Sequence, residues 1–586
     1  MAGPASLLAC WRFLASRFLR NPPAESFSGL RTCEGGGGMQ RAWLREFNAL
    51  GLQLRPQAAK LVTEFLSLYE DPTQMAETLV EYTKNYLRSR QGRVEAFIDA
   101  DTIRSVLECM QQVSAAGSAG STQEAARQGI EAMDLGDGIQ IYDVTSEVAP
   151  FDYRTTTKEW APALEPSTLF PGPDVKAKIY ASRYHLLLQR TLLEGKYVID
   201  EEASATGILP GQLILTKVES LQGNPGPKTT FGLLARVQSE GKRQWTIEDL
   251  HKVYPVELEV QESDHLMTDG SFVLAEGRLE GGKFLIKNLD LPGAVPRNMT
   301  LVKDLIPRQT FGGTLTDAQL KILEESEPGN PDGFYVVLSE VHLDSGRVLE
   351  KLTDLFQGYE ESLPPTAYVF MGSFCSSPFV TTAEGIRSYR DGFERLKFML
   401  RGLSNHIQSG TRFVFVPGPN DPGAQMLPHV ALPEYLTSDL AKDVPNVVMG
   451  TNPCRLRHFS RELVFFRHDV LRLLRRHEVV PLREPDGGPA SAAHARTEMV
   501  RFLLDQAHLV PLPLEQSNIL WAYDHTLRLY PLPHAVFIGG VTQPFDTSYA
   551  ECKFCSVGPF SREAEFYAFH PVKDLMEQCG VPDRAG

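Results

Sequence analysis

Continuous apolar runs that end in polar residues are the clearest pattern in the C-terminal half of the chain. They lie at residues 334–344, 367–376 and 412–423. Such runs are typical of strands that are buried on both faces, and Pro417 and Pro419 prevent the last strand from continuing. Because α/β sheets carry their chemistry where strands end, the pattern predicts a site, or the remains of one, at this edge.

Helical spacing separates these runs. Apolar residues three to four positions apart predict helices over residues 345–356 and 388–408. Later apolar runs, each followed by a turn, lie at residues 447–448, 463–466 and 535–540. Alternating strands and helices are typical of a layered α/β domain, which we assign to residues 331–586.

The middle of the chain has a different pattern. A helix is predicted over residues 174–193, and short strand-like segments follow a break rich in glycine and proline. These segments lie at residues 230–237, 245–247, 256–260, 271–275 and 283–286. Five short strands with glycine-bearing turns fit an OB-type β-barrel. Helix and barrel together form a predicted domain at residues 171–330.

The charge balance bears on what this barrel binds. An OB barrel that holds single-stranded DNA needs a basic groove with stacking aromatic residues, yet residues 228–290 hold eight Lys or Arg and eleven Asp or Glu. The whole chain has a formal net charge of -15, and phosphate binding needs clustered basic residues. A barrel that binds protein is favoured, and any nucleic-acid role is expected to run through partners.

Residues 39–113 are predicted to form a small helical bundle. Asp71 before Pro72, and later Asp101, are candidate N-caps. The predicted buried positions are Leu44, Phe47, Leu61, Val62, Phe65, Leu66, Met75, Leu79, Tyr86, Ile103, Val106, Leu107 and Met110. The bundle is either a plain core or a docking module for a partner. Ser, Gly and Ala residues then open a linker, which we extend over residues 114–170.

Residues 1–38 form a separate leader. Arg12, Arg17 and Arg20 precede the first acidic residue, Glu25, which is the composition of an organelle transit peptide. Alternatively, Met39 is the working start and the leader is a disordered extension. The sequence leaves both interpretations open.

Chain length and cysteine content limit the number of domains and the kinds of cysteine site that the sequence predicts. At 586 residues the chain is too long for one core, and two to four domains are expected. The sequence has no run of about 18 apolar residues, so no membrane span is predicted. The eight cysteines are scattered, as in reduced intracellular proteins. Cys552 and Cys555 form a C-x-x-C pair, which is at most half of a zinc site.

Several motifs resemble those of one family. SEVHLD, MGSF, VPGPNDP and TNPCR, at residues 339–344, 371–374, 416–422 and 451–455, resemble the B-subunit family of replicative DNA polymerases. Within that family, six segments are similar to the epsilon branch. They are FVFVPGPNDPG, TNPCR, RYHLLLQR, SFVLAEG, HLVPLPL and WAYDHTLRLYPLP, at residues 413–423, 451–455, 183–190, 271–277, 508–514 and 521–533. The resemblance runs from residue 39 to near the C terminus. It implies an N-terminal helical domain, an OB domain and a calcineurin-like phosphoesterase domain, in that order.

The resemblance also implies that the phosphoesterase-like domain is catalytically degenerate. Active members hold two metals about 3.5 to 4 Å apart, on the motifs D-x-H, G-D-x-x-D, G-N-H-D/E, a lone His and G-H-x-H. The corresponding positions here are Glu340, His342, Ser373, Ser376, Pro419, Asn420, Asp421, Gly540 and Thr542. The lone His corresponds to Arg467, although its neighbour His468 leaves that alignment open.

Most metal ligands, including the bridging aspartate, are therefore replaced. Loss of one supporting residue costs roughly 10- to 100-fold in metal affinity or activity, so the loss of most ligands predicts no metal, no other cofactor and no catalytic residue. Glu340, His342 and Asp421 remain as possible ligands. A lone His–carboxylate pair is more often a structural hydrogen bond.

What the resemblance implies for function is a non-catalytic scaffold subunit of the nuclear polymerase epsilon holoenzyme. The OB and phosphoesterase-like domains would bind the Cys-rich C-terminal domain of the catalytic subunit. The N-terminal helices would link the holoenzyme to the replicative helicase through GINS. Small histone-fold subunits and DNA would be reached through the complex, and no membrane contact is expected.

Two other functions stay open at this point. A working metallophosphoesterase with an atypical site would carry Mn or Zn and turn over a phosphodiester. A stand-alone OB protein would bind single-stranded DNA with a steep salt dependence. Organelle targeting by residues 1–38 is the alternative to a nuclear location.

Overall fold

The computed structural model describes residues 138–583 apart from short gaps, together with isolated residues between 53 and 106. The gaps lie at residues 164–166, 201–209, 223–225, 240, 303–305, 307, 314, 330 and 424–425. The chain divides into two compact units, Met1–Ser118 and Ala119–Gly586. The leader, residues 1–38, lies outside the described residues.

The first unit combines helical residues with a short strand pair. Gln53–Leu54 (β1) pairs in parallel with Phe97–Ile98 (β2), a pairing too short to leave an alternating pattern in the sequence. Helical conformation is found at residues 58–59, 61–63, 79, 83, 102–103 and 106. The predicted core positions that are described and buried are Val62, Leu79, Ile103 and Val106. The bundle as a whole stays a prediction, since Leu44, Phe47, Phe65, Leu66, Met75, Tyr86, Leu107 and Met110 lie outside the described residues.

Part of the predicted linker is ordered into strands. These are β3 Ile139–Tyr142, β4 Phe151–Arg154 and β5 Glu159–Pro162. β4 and β5 form a hairpin, while β3 pairs with Cys454–His458, far along the chain. The linker assignment fails here because so remote a pairing leaves no local signal in the sequence.

A helix and a barrel follow. Helix α1 (Asp174–Leu193) has the predicted bounds. The strands are β6 Tyr197–Ile199, β7 Leu213–Leu215, β8 Lys228–Ser239, β9 Lys242–Glu248, β10 Val253–Leu258, β11 Ser271–Glu280 and β12 Lys283–Asp290. Among the described residues they run in the order β11-β12-β10-β9-β8-β7-β6, and β11 also pairs with β8. This last pairing closes β8 to β12 into the predicted barrel.

The remaining residues alternate between helices and strands. The helices are α2 Arg297–Val302, α3 Asp317–Ser326, α4 Gly346–Glu360, α5 Ala383–Arg401, α6 Ser404–Gln408, α7 Leu440–Asp443, α8 Val470–Arg476, α9 Ala492–Asp505 and α10 Phe560–Glu563. The strands are β13 Tyr335–Ser339, β14 Ala367–Met371, β15 Arg412–Val416, β16 Val447–Met449, β17 Cys454–His458, β18 Arg461–Arg467, β19 Ala535–Gly539, β20 Phe545–Tyr549, β21 Cys552–Val557, β22 Glu565–His570 and β23 Leu575–Gly580. The long helix predicted at residues 388–408 is two helices that meet near Gly402.

Two sheets of these strands pack face to face. In the described residues one sheet has the order β16-β15-β14-β13-β22-β23 and the other β20-β21-β19-β18-β17-β3. Buried Val337, Val369 and Val414 of the first sheet share a core with Phe465 and Phe537 of the second. Helices α4 and α5 cover the outer face of the first sheet, and α9 and the barrel cover that of the second. The predicted layered α/β architecture is present, and the central strands β13, β14, β17 and β19 are buried on both faces.

No helix in the described part of the chain combines the length and apolar character needed to cross a bilayer.

Candidate functional site at the strand ends

The polar ends of four buried strands meet at one edge of the two sheets. β13, β14 and β15 are parallel neighbours, and their ends are joined by backbone bonds from Glu340 N to Met371 O (3.0 Å) and from Gly372 N to Val416 O (2.8 Å). A Cβ at Gly372 would lie 1.9 Å from Asp421 Oδ2, so this close approach requires glycine. The predicted convergence of the three apolar runs is confirmed.

Arg467, at the end of β18, lies at the centre of this edge. Its side chain is 1% exposed. The guanidinium donates to a Glu340 carboxylate oxygen, to Gly372 O at 2.6 Å, to Asp469 Oδ1 at 3.2 Å and to Gly539 O at 3.3 Å. A fixed positive charge is therefore held among carboxylates and carbonyls. We call Glu340, His342, Asp421, Arg467 and Asp469 the strand-end cluster.

Glu340 and His342 form a hydrogen-bonded pair beside the guanidinium. His342 Nε2 lies 2.9 Å from Glu340 Oε2, and the two side chains are 18% and 10% exposed. Burial by itself would raise the pKa of Glu340, but the His342 hydrogen bond and the Arg467 charge lower the pKa below its ordinary value. Glu340 is thus held as a carboxylate whose two oxygens both have partners.

Asp421 is held by the backbone of two neighbouring loops. Its Oδ1 accepts from Phe374 N at 2.9 Å and its Oδ2 from Gly418 N at 2.8 Å. Burial raises the pKa of Asp421 to about 6, although both N–H donors and Arg467 act to lower it. Asp421 therefore fastens the loop after β15 to the loop after β14.

The other residues at the predicted metal-ligand positions have separate surroundings. Ser373 is buried, whereas Ser376 donates to Asp344 Oδ2 at 2.6 Å. Asn420 is exposed, and its backbone carbonyl accepts from Phe379 N. Pro419 and Gly540 have no side-chain ligand to offer, and Thr542 is partly buried beyond them.

Arg467 and His468, the two candidates for the lone-histidine position, point in opposite directions. The His468 ring stacks on Phe466 with 5.3 Å between the centroids. Burial lowers the pKa of His468 to about 4, so the ring is neutral at pH 7. Adjacent residues on an extended strand point to opposite faces, and it is Arg467 that faces the strand ends.

Two residues of this edge were missed by sequence reasoning. Asn452 Oδ1 accepts from Arg467 N at 3.0 Å, and Asn452 Nδ2 donates to Arg467 O at 2.8 Å. Asp469 lies two residues after Arg467 and also accepts from Val541 N at 3.2 Å. The position of Asn452 in TNPCR could have singled it out, whereas Asp469 belongs to no motif.

Cys552 and Cys555 do not form a common site. Both lie on β21, three residues apart, and both are buried as free thiols. Cys552 packs in the core beneath the barrel, and Cys555 packs between the two sheets. Positions separated by three residues on a strand face opposite sides, so the two sulfur atoms cannot bind one metal ion.

The donor set of the strand-end cluster does not fit a pair of divalent metals. Hard ligands must surround such ions closely, but the Arg467 guanidinium occupies the space between Glu340 and Asp469. Within the described ranges, no group of three or more His, Cys, Asp or Glu side chains has an arrangement that could hold a metal ion. The arrangement holds the loops at the strand ends together through hydrogen bonds and ion pairs.

Comparison with known proteins agrees with the two main domains. A family model described as the B subunit of DNA polymerase alpha/epsilon matches residues 335–547, and one described as DNA polymerase epsilon subunit 2-like, OB-fold domain, matches residues 173–293. The chain is 31% identical over 554 residues to the human DNA polymerase epsilon subunit 2, covering 91% of this chain and 97% of that protein.

The chain belongs to the family of DNA polymerase epsilon B subunits. The bovine DNA polymerase epsilon subunit 2 is 30% identical over 564 residues, covering 91% of this chain and 97% of that protein. The DNA polymerase epsilon B subunit of Arabidopsis thaliana is 30% identical over 438 residues, covering 73% and 81%. The predicted family and its OB domain are thus confirmed.

Proposed function

We propose that this B subunit is a non-catalytic accessory component of the polymerase epsilon complex, and that residues 331–586 are a calcineurin-like phosphoesterase domain that has lost its chemistry. The position of Arg467 is the observation that carries the proposal. Its side chain is buried among the strand ends where an active relative would need its metals.

The place of the guanidinium supports this proposal. Arg467 contacts two carboxylates, Glu340 and Asp469, so a fixed cation already lies where a metal ion would need these ligands. A metal ion entering here would have to displace a side chain that makes four hydrogen bonds and would bring its own charge next to Arg467. We therefore propose that none of the predicted site positions has a catalytic, metal-binding or cofactor-binding role. These positions are Glu340, His342, Ser373, Ser376, Pro419, Asn420, Asp421, Gly540 and Thr542.

The proposed role of the chain is to bind other proteins of the replication machinery. The two predicted domains at residues 171–330 and 331–586 are proposed to hold the Cys-rich C-terminal domain of the catalytic subunit. Residues 39–113 are proposed to form the helical domain that reaches the replicative helicase through GINS. Contacts with the small histone-fold subunits would run through the holoenzyme, in the nucleus.

Co-expression tests the scaffold role. The full chain and the C-terminal domain of the epsilon catalytic subunit are expected to co-purify at one to one through affinity and size-exclusion steps. The matched control is the C-terminal domain of a different replicative polymerase, which should elute separately. Separate elution of the epsilon pair would contradict the proposal.

Metal content and turnover test the loss of chemistry. The purified chain is expected to carry no stoichiometric Mn or Zn by mass spectrometry, and to hydrolyse bis-p-nitrophenyl phosphate no faster than the Arg467→Met variant does, with Mn²⁺ supplied to both. A rate that depends on Mn²⁺ in the wild-type chain would revive the alternative of an atypical phosphoesterase.

A further inference from the structure

Three arginines cover one exposed face of helix α8. Arg472, Arg475 and Arg476 are exposed and lie three to four positions apart, which places them on the same side of the helix. Val470, Leu471 and Leu474 face the core. The helix VLRLLRR contains no acidic residue. It therefore presents a purely basic surface on a chain of net charge -15.

The acidic residues that flank α8 have other partners. Asp469 accepts from Arg467 at 3.2 Å, and Glu478 Oε1 accepts from Leu482 N at 2.7 Å. Within the part of the chain that the structure describes, no carboxylate forms an ion pair with the three arginines, whereas exposed Arg278 and Arg483 both have one. The three guanidinium groups of α8 are therefore not held in ion pairs by the described part of the chain.

The end of the barrel lies beside the end of α8. Asp269 N donates to His477 O, just after α8, at 3.2 Å, and Asp269 Oδ1 accepts from Arg236 N at 3.0 Å. The exposed Arg236 guanidinium lies 4.3 Å from the Trp245 ring centre. Exposed Arg243 is on the neighbouring strand, paired with Gln238. We call the three arginines of α8, Arg472, Arg475 and Arg476, the basic patch.

We propose that the basic patch binds the phosphate backbone of double-stranded DNA. Arginine forks match phosphate oxygens in geometry and charge, and contacts to phosphate are independent of base sequence. Arg236 covers Trp245, so that ring is not free to stack on an unpaired base. A component of a DNA polymerase also works beside a duplex, which makes a weak contact sufficient. Repulsion by the remaining acidic surface confines the contact to this face.

Fluorescence anisotropy of a labelled duplex with the full chain tests the proposal. At about 50 mM salt we expect saturable binding whose logarithm falls with log salt at a slope of about -3, for three phosphate contacts. The variant Arg472→Glu/Arg475→Glu/Arg476→Glu is expected to lose at least about tenfold in affinity. The matched control, Arg387→Glu/Arg395→Glu/Arg401→Glu, makes the same charge change on the exposed face of α5 and should lose about twofold or less.

Several outcomes would overturn the assignment. One is that the wild-type chain does not bind the duplex at about 50 mM salt. Another is that both triple variants lose the same affinity, as expected if binding depends only on the net charge of the chain. Displacement of the duplex by a poly-glutamate peptide of equal charge, as effectively as by unlabelled duplex, would assign the patch to an acidic polypeptide instead. Unchanged melting curves of both variants separate these outcomes from misfolding. Co-purification with the catalytic subunit is a separate readout, so failure here leaves the proposed scaffold role untouched.

Discussion

Two buried arginine–carboxylate clusters in this B subunit look alike chemically but differ in what they connect. The strand-end cluster joins loops within the α/β domain and is partly open, with Asp469 34% exposed. The second, which we call the seam cluster, consists of Arg183, His508, Asp524 and Arg528. Arg183 contacts Asp524, and His508 Nε2 and Arg528 Nη2 lie 3.2 and 3.3 Å from the same carboxylate. Asp524 is 2% exposed.

The seam cluster joins helix α1 to the segments that follow α9. Burial alone would raise the pKa of Asp524, but Arg183, His508 and Arg528 hold it well below its ordinary value. Burial lowers the pKa of His508 to about 4. Nearby, Arg190 donates to the carbonyls of Pro292, Leu504 and Asp505. Shifted pKa values therefore occur in a closed interface as readily as at strand ends, and they do not by themselves identify a catalytic site.

Asp524→Ala is expected to have the largest effect on stability. It leaves Arg183 and Arg528 buried without their carboxylate, which costs about 3 to 5 kcal/mol in the free energy of unfolding. Urea denaturation of the full chain measures this loss. The control Asp264→Ala breaks the exposed pair with Arg483 and should cost less than about 1 kcal/mol. Equal losses would mean that the seam cluster does not hold α1 to the α/β domain.

Arg467→Met is expected to cost less, about 3 kcal/mol, because Asp469 and His342 reach solvent and can be hydrated in the variant. Adding Glu340→Gln should recover part of the loss, since the second change removes the unpaired carboxylate. A double-mutant cycle in urea checks this coupling. If the single variant were as stable as wild type, the strand ends would not depend on an internal cation.

Asp421→Asn tests how the stability contributed by the strand-end cluster depends on pH. The folded-state pKa of Asp421 is raised to about 6, so its contribution to stability is full below the unfolded pKa near 4 and is lost as pH rises through about 6. The stability of wild type relative to the variant should therefore fall by about 1 to 2 kcal/mol between pH 4 and pH 7, allowing for partial exposure. Urea midpoints at the two pH values test this. If the stability difference between wild type and variant were the same at both pH values, Asp421 would not be the group that titrates in this range.

His342→Ala is expected to have the smallest effect, about 0.5 to 1 kcal/mol, because Glu340 keeps its contact with Arg467. The pKa of Glu340 should rise, since the His342 hydrogen bond lowers it. His508→Ala in the seam cluster is the matched comparison and should cost more, as that ring is 1% exposed and its Nδ1 accepts from Val510 N at 3.0 Å. Equal costs for the two histidines would remove the distinction between the clusters.

The two clusters draw on different segments of the sequence. SEVHLD, MGSF and VPGPNDP surround the strand-end cluster. RYHLLLQR, HLVPLPL and WAYDHTLRLYPLP supply Arg183, His508, Asp524 and Arg528. These last three segments meet at the interface between α1 and the α/β domain.

Local patterns alone determined much of this protein. Helix α1, the barrel strands and the apolar strands β13, β14 and β15 follow from periodicity and breakers, because each is set by nearby residues. That Pro419 and Gly540 have no side-chain group to bind a metal is likewise readable from the sequence. Only the tertiary structure decided where β3 pairs, that Cys552 and Cys555 face different cores, and that Arg467 and not His468 turns toward the strand ends. Those features depend on partners distant in the chain and on the face that each side chain takes, and local sequence carries neither.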